Sequence, residues 1–80
     1  MQVKVKLFAN LQRYAPEGQP VGVPFTVELP ENGAIADLVT QLNIPSREVK
    51  VAFVDGRARA QVYRLKSGDE VGIFPPVGGG

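Results

Sequence analysis

The sequence predicts an α+β domain in which one short helix packs across a mixed β-sheet. Three observations predict it. Val3, Val5 and Leu7 alternate with Lys4 and Lys6, and Phe25, Val27 and Leu29 alternate with Thr26 and Glu28. That period of two marks half-buried strands. Ile35, Leu38, Val39 and Leu42 then recur at i, i+3, i+4 and i+7, the stripe of an amphipathic helix. Finally, Glu70 to Phe74 alternates again, with Val71 and Ile73 as its inward residues, before Pro75-Pro76 stops it.

In chain order, the first strand carries its valines inward, and Phe8 falls on the face of the lysines. Asn10 to Tyr14 suits a short helical turn. The breakers of Ala15-Pro16-Glu17-Gly18-Gln19-Pro20 make a loop, so the first two strands pair as a hairpin with a long connection. Pro30 ends the second strand. Glu31-Asn32-Gly33 is a turn able to cap the helix, which runs about ten residues and ends before Pro45. Asp37, Thr40 and Gln41 lie on its solvated side.

Val49 to Val54 is a third strand ended by the Asp55-Gly56 turn. It is apolar on both faces. Lys50 argues for Val49, Val51 and Phe53 inward, and Ala52 with Val54 is the alternative set. Arg57 to Tyr63 has room for a short strand, and Ser67-Gly68-Asp69 is a turn. The helical return leaves the last strand free to lie beside the first. That arrangement is the β-grasp, or ubiquitin-like, fold, although periodicity alone leaves the strand order open. Residues 1–74 are expected to form this domain and residues 75–80 a flexible C-terminal tail. The helix stripe is expected to pack on Val3, Val5, Leu7, Val71 and Ile73.

Composition narrows the function. The chain has 80 residues, with no cysteine and no histidine. It therefore lacks thiolate chemistry, the commonest general base and the commonest metal ligand. No metal site is expected, and autonomous catalysis is disfavoured. A net charge of +1 gives no electrostatic reason for nucleic-acid or membrane binding. No apolar run approaches the roughly 20 residues of a membrane span. The N-terminus reads as a strand and not as a signal peptide, so the cytoplasm is the expected location.

The chemistry is then expected in the tail, Phe74-Pro75-Pro76-Val77-Gly78-Gly79-Gly80. The prolines stiffen its root, and the glycines fit a narrow channel in any backbone conformation. Six residues beyond Phe74 span roughly 20 Å at full extension. That is enough to thread a carboxylate into another protein's active site. A carboxylate becomes an acyl donor once a partner converts it to a mixed anhydride, and glycine is the least hindered acyl group available. The bland alternative is an inert, frayed terminus.

These residues carry a resemblance. Val5-Lys6-Leu7-Phe8-Ala9, Ala36-Asp37-Leu38, Val51-Ala52-Phe53-Val54-Asp55-Gly56 and, above all, the run from Ser67-Gly68-Asp69-Glu70-Val71 through Phe74-Pro75-Pro76-Val77-Gly78-Gly79-Gly80 resemble the small β-grasp sulfur carriers. Within these MoaD/ThiS-like proteins, Pro75-Pro76 favours the small subunits of molybdopterin synthase. The resemblance implies that a ubiquitin-activating-like adenylating enzyme, using ATP, activates the Gly80 carboxylate. A sulfurtransferase or other sulfur donor then leaves a thiocarboxylate, and a larger molybdopterin synthase subunit accepts the tail. No cofactor is bound by the chain itself. The rivals are a ubiquitin-like protein modifier, a sulfur carrier for thiamin, cysteine or tRNA thiolation, and a binding module with an inert tail.

One surface is expected to serve docking. Phe8 and Phe74 are each out of phase with the inward residues of their strands. Parallel neighbours would bring the two rings together at the root of the tail, with Ala58 extending the patch. The alternative folds one ring over the Ala15 to Pro20 loop. Lys4 and Lys6 are read as a solvated strand face. Tyr14 and Tyr63 are read as packing residues with wet hydroxyls, and Asp69 and Glu70 as turn residues.

Overall fold

The computed structural model describes residues 1–76. Five strands form one sheet: β1 (Gln2–Leu7), β2 (Phe25–Glu28), β3 (Val51–Val54), β4 (Arg57–Arg59) and β5 (Glu70–Phe74). Among the described residues the single α-helix, α1, is Ile35–Gln41, and short 3-10 helices cover Ala9–Tyr14 and Ser46–Glu48. The sheet order is β2-β1-β5-β3-β4. β1 pairs antiparallel with β2 and parallel with β5, and β3 pairs antiparallel with both β5 and β4. A helix on one face of a mixed sheet whose first and last strands are parallel neighbours is the β-grasp arrangement.

The alternation of β1 and β5 sorts their side chains cleanly. Val3, Val5, Leu7, Val71 and Ile73 are buried beneath Ile35, Leu38 and Val39 of α1. The helix is seven residues long, shorter than expected. Leu42 sits at its C-cap and is only half-buried. Its N-terminus is capped from within: the Ala34 N–H donates to Asp37 Oδ2 at 2.7 Å. Asp37, read as merely solvated, satisfies one of the helix's otherwise unpaired donors.

The core is larger than the periodic segments imply. Leu11, Ile44 and Leu65 are buried with them, though they lie on a 3-10 turn and two connections without period. On the β2 edge, the Met1 amine donates to Leu29 O at 2.7 Å and lies 3.0 Å from Glu28 Oε2. The hydrogen bond from that amine holds the Glu28 carboxyl below its ordinary range.

β3 departs from the reading that Lys50 suggested. Ala52 and Val54 are buried, while Val51 and Phe53 face out. Lys50 lies before the strand begins, so its exposure carries no information about the pleat. Register decides the parity: Ala52 lies opposite Ile73 and Val54 opposite Val71, and directly paired residues share a face. The hairpin from β3 to β4 turns at Asp55 (φ 49°) and Gly56 (φ 88°). Positive φ at both central residues matches the hand of the strands' twist.

Candidate functional site

The site is built on β5, a central strand held on both sides. On one side the Phe8 N–H donates to Ile73 O at 3.1 Å, and on the other the Lys50 N–H donates to Phe74 O at 2.8 Å. Backbone pairing therefore reaches the last residue of the strand. Pro75 and Pro76 follow and have no N–H to extend the ladder. Pro75 and Pro76 therefore continue a central strand and not a loose edge.

Around this root the outward side chains of three strands form an aromatic surface. The Phe8 and Phe74 rings stack with centroids 4.0 Å apart and planes 6° from parallel. Phe53 meets Phe74 edge-on, with centroids 5.5 Å apart and planes at 80°. The expected pairing of Phe8 with Phe74 is present, and neither ring folds over the Ala15 to Pro20 loop. Ala58 lies opposite Phe53 in the β3–β4 ladder, so its methyl group shares that face. Parallel neighbours explain the stack: Leu7 pairs with Ile73, so the next residue on each strand emerges side by side.

Gly72 makes room for it. A Cβ at this position would lie 3.1 Å from Phe8 Cε2 and 3.8 Å from Phe74 Cε1. The glycine serves close approach of the ring here and not a special backbone conformation.

Below the rings runs an open apolar groove of about 430 Å³, walled by Phe8, Phe53, Phe74 and Pro24. Lys4 and Lys6 stand on its β1 side, Asp55 on its β3 side and Glu70 between. Lys6 Nζ lies 5.3 Å from the Phe8 centroid, within cation–π range. The lysines thus form part of this rim and not only a solvated face. Asp69 acts in the turn as expected, its Oδ2 accepting from the Lys66 N–H at 2.8 Å, whereas Glu70 opens β5 opposite Lys4 and its N–H donates to Asp55 Oδ1 at 3.1 Å.

Phe53, Pro24 and Gly72 are site residues that the sequence reading missed. The two-residue Asp55-Gly56 turn was the available signal for Phe53, because it pairs Phe53 with exposed Ala58. The Tyr14 hydroxyl is not simply wet. It hydrogen-bonds Glu48 at 3.1 Å, and Arg13 salt-bridges the same carboxylate. Among the described residues no cluster of acidic or other ligating side chains could hold a metal ion, and no helix is long and apolar enough to cross a membrane. Val77, Gly78, Gly79 and Gly80 lie outside the described residues.

The described residues thus place an outward aromatic face at the root of the Pro-Pro-Val-Gly-Gly-Gly segment. The ThiS family model matches residues 5–80.

The chain belongs to the ThiS family.

This ThiS-family chain is similar to a putative molybdopterin converting factor, subunit 1, from Pyrococcus furiosus. The two are 33% identical over 95% of this chain and 98% of that one, with a TM-score of 0.68. It is also similar to SAMP1 from Haloferax volcanii, at 26% identity over 100% of both chains and a TM-score of 0.71. The Haloferax volcanii HVO 2177 protein, solved in solution, shares the fold at 22% identity and a TM-score of 0.76, over 100% of this chain and 87% of that one. Comparison with curated proteins gave no match. Membership makes the chain a β-grasp sulfur carrier of the MoaD/ThiS-like kind.

Proposed function

We propose that the chain carries sulfur as a thiocarboxylate on Gly80 and delivers it in molybdopterin synthesis. The observation that carries this reading is the Phe8–Phe74 stack at the root of the tail, in a chain whose family match runs through Gly80. A partner that grips the aromatic face holds the root of the tail at a fixed distance from its own active site.

The chemistry follows from the acyl terminus. A ubiquitin-activating-like enzyme binds ATP, and the Gly80 carboxylate attacks its α-phosphorus. The products are an acyl-adenylate and pyrophosphate. A sulfurtransferase persulfide adds to the activated carbonyl and expels AMP, giving an acyl disulfide. A thiol then cleaves that S–S bond, leaving as a disulfide with the sulfurtransferase and releasing the thiocarboxylate. The larger synthase subunit then binds the same aromatic face and takes the tail, and the catalytic side chains belong to these partners. Similarity to the Pyrococcus furiosus converting factor supports the molybdopterin assignment.

Similarity to SAMP1 favours a second reading, in which the activated Gly80 carbonyl is captured by a lysine amine of another protein. Reconstitution separates the two. The loaded carrier, the large synthase subunit and a sulfur-free pterin precursor should together yield the dithiolene product. Loss of loaded carrier into covalent conjugates, without product, would favour the modifier.

A further inference from the structure

We infer that the turn Pro20–Val21–Gly22–Val23 is a second docking element, inserted into an apolar socket on the adenylating enzyme that receives the tail. The inference rests on the carrier reading and adds to it a contact outside the aromatic face.

The turn is built, not slack. Gly22 has φ 80°, and the Val23 N–H reaches back to Pro20 O at 3.4 Å. Positive φ at the third position is the signature of a type II turn, which places Val21 at the tip. Gln19 closes the loop by donating from Nε2 to Val23 O at 2.7 Å. Gln12, on the 3-10 helix after β1, braces it by donating to Gln19 O at 3.2 Å. The braced turn nevertheless holds its two valines in solvent. Val21 is 82% exposed and Val23 48% exposed, and they are two of three large apolar side chains so exposed among the described residues. Single exposed apolar residues need no explanation. Two on one fixed turn, joined to an apolar groove through Pro24, make a continuous surface.

Topology selects the occupant. β1 and β5 run parallel, and β2 enters with Phe25 opposite Val5. Residues before Phe25 therefore stand at the end of the sheet from which the tail leaves. β2 is two strands from β5, roughly 10 Å at ordinary strand spacing. An enzyme whose channel admits the tail up to Pro76 must approach that end of the sheet, and the turn meets its rim. Two valines offer such a rim apolar area and no charge, so the complementary surface is an apolar socket.

Calorimetric titration of the full chain into the purified adenylating enzyme tests this. Val21→Ser combined with Val23→Ser keeps Pro20, Gly22 and Pro24 and should weaken binding by about tenfold or more. Val62→Ser, at a side chain that is 80% exposed elsewhere on the surface, should change it less than about twofold. Should the double variant fail to fold, Val21→Ser alone at the tip should still weaken binding several-fold. Wild-type affinity in the valine variants, with Phe74→Ala weakened, would overturn this inference and leave the aromatic docking face standing. Wild-type affinity in Phe74→Ala as well would remove the docking reading itself. Self-association of the wild type that disappears in the double variant, with enzyme affinity unchanged, would assign the turn to a second copy and overturn the inference.

Discussion

At the scale of single residues, the site depends on a missing methyl group. Gly72 lets the Phe8 ring lie across β5 and against Phe74, and a Cβ there would meet Phe8 Cε2 at 3.1 Å. Gly72→Ala should therefore shift the Phe8 ring by a few tenths of an ångström while costing less than about 1 kcal/mol, because the ring is the movable end of a side chain. Ring-current shifts of the Phe8 and Phe74 ring protons, read beside a denaturant melt, check both parts. Unchanged ring-proton shifts would mean that the glycine does not set the place of the ring. Phe74 contacts both Phe8 and Phe53 and stands at the centre of the surface. Phe74→Ala should weaken binding to the large synthase subunit by about 1–3 kcal/mol, as an aromatic anchor does. Its effect on the melting midpoint should be smaller, since the ring faces away from the core. Calorimetry giving wild-type affinity would exclude the aromatic face as the docking surface.

At the scale of elements, stability concentrates where α1 crosses β1 and β5. Leu38 is fully buried there, 0% exposed. Leu38→Ala should cost about 2–5 kcal/mol, the range for truncating a buried leucine to alanine. In so small a domain that is a large share of the total stability. A denaturant melt with an unchanged midpoint would place Leu38 outside the core. This scale also shows what the sequence made legible. β1 and β5 were readable because each alternates strictly and each is punctuated, β5 by Gly68-Asp69 before and Pro75-Pro76 after. The stack of Phe8 on Phe74 followed from their phase once the two strands were taken as neighbours. The facing of β3 was not readable, because apolar residues on both sides leave parity to the register with β5. Leu11, Ile44 and Leu65 escaped because irregular segments bury a residue by tertiary placement, and no period announces it. The helix was overestimated because Leu42 continues the apolar spacing past the last helical turn.

At the scale of the whole molecule, the β-grasp order explains why this fold suits a carrier. β5 lies between β1 and β3, so hydrogen bonds from Phe8 and Lys50 hold its final residues on both flanks. The fold holds the root of the handle on both flanks and sets apolar surface beside it, and under the proposed function the partners supply the reactive groups. Reach is then set by residue count. Deleting Gly80 shortens the handle by about 3.5 Å. A misplacement of about 1 Å in a reacting group can cost on the order of a hundredfold in rate. The truncated chain should keep the wild-type melting midpoint, because among the described residues the last member of the core is Ile73. The decisive measurement is intact-mass spectrometry of wild-type and Gly80-deleted chains after incubation with the adenylating enzyme, ATP and a sulfur source. The account predicts exchange of one oxygen for sulfur at the wild-type terminus and almost none in the truncated chain. Equal sulfur loading of both chains, or none in the wild type, would contradict it.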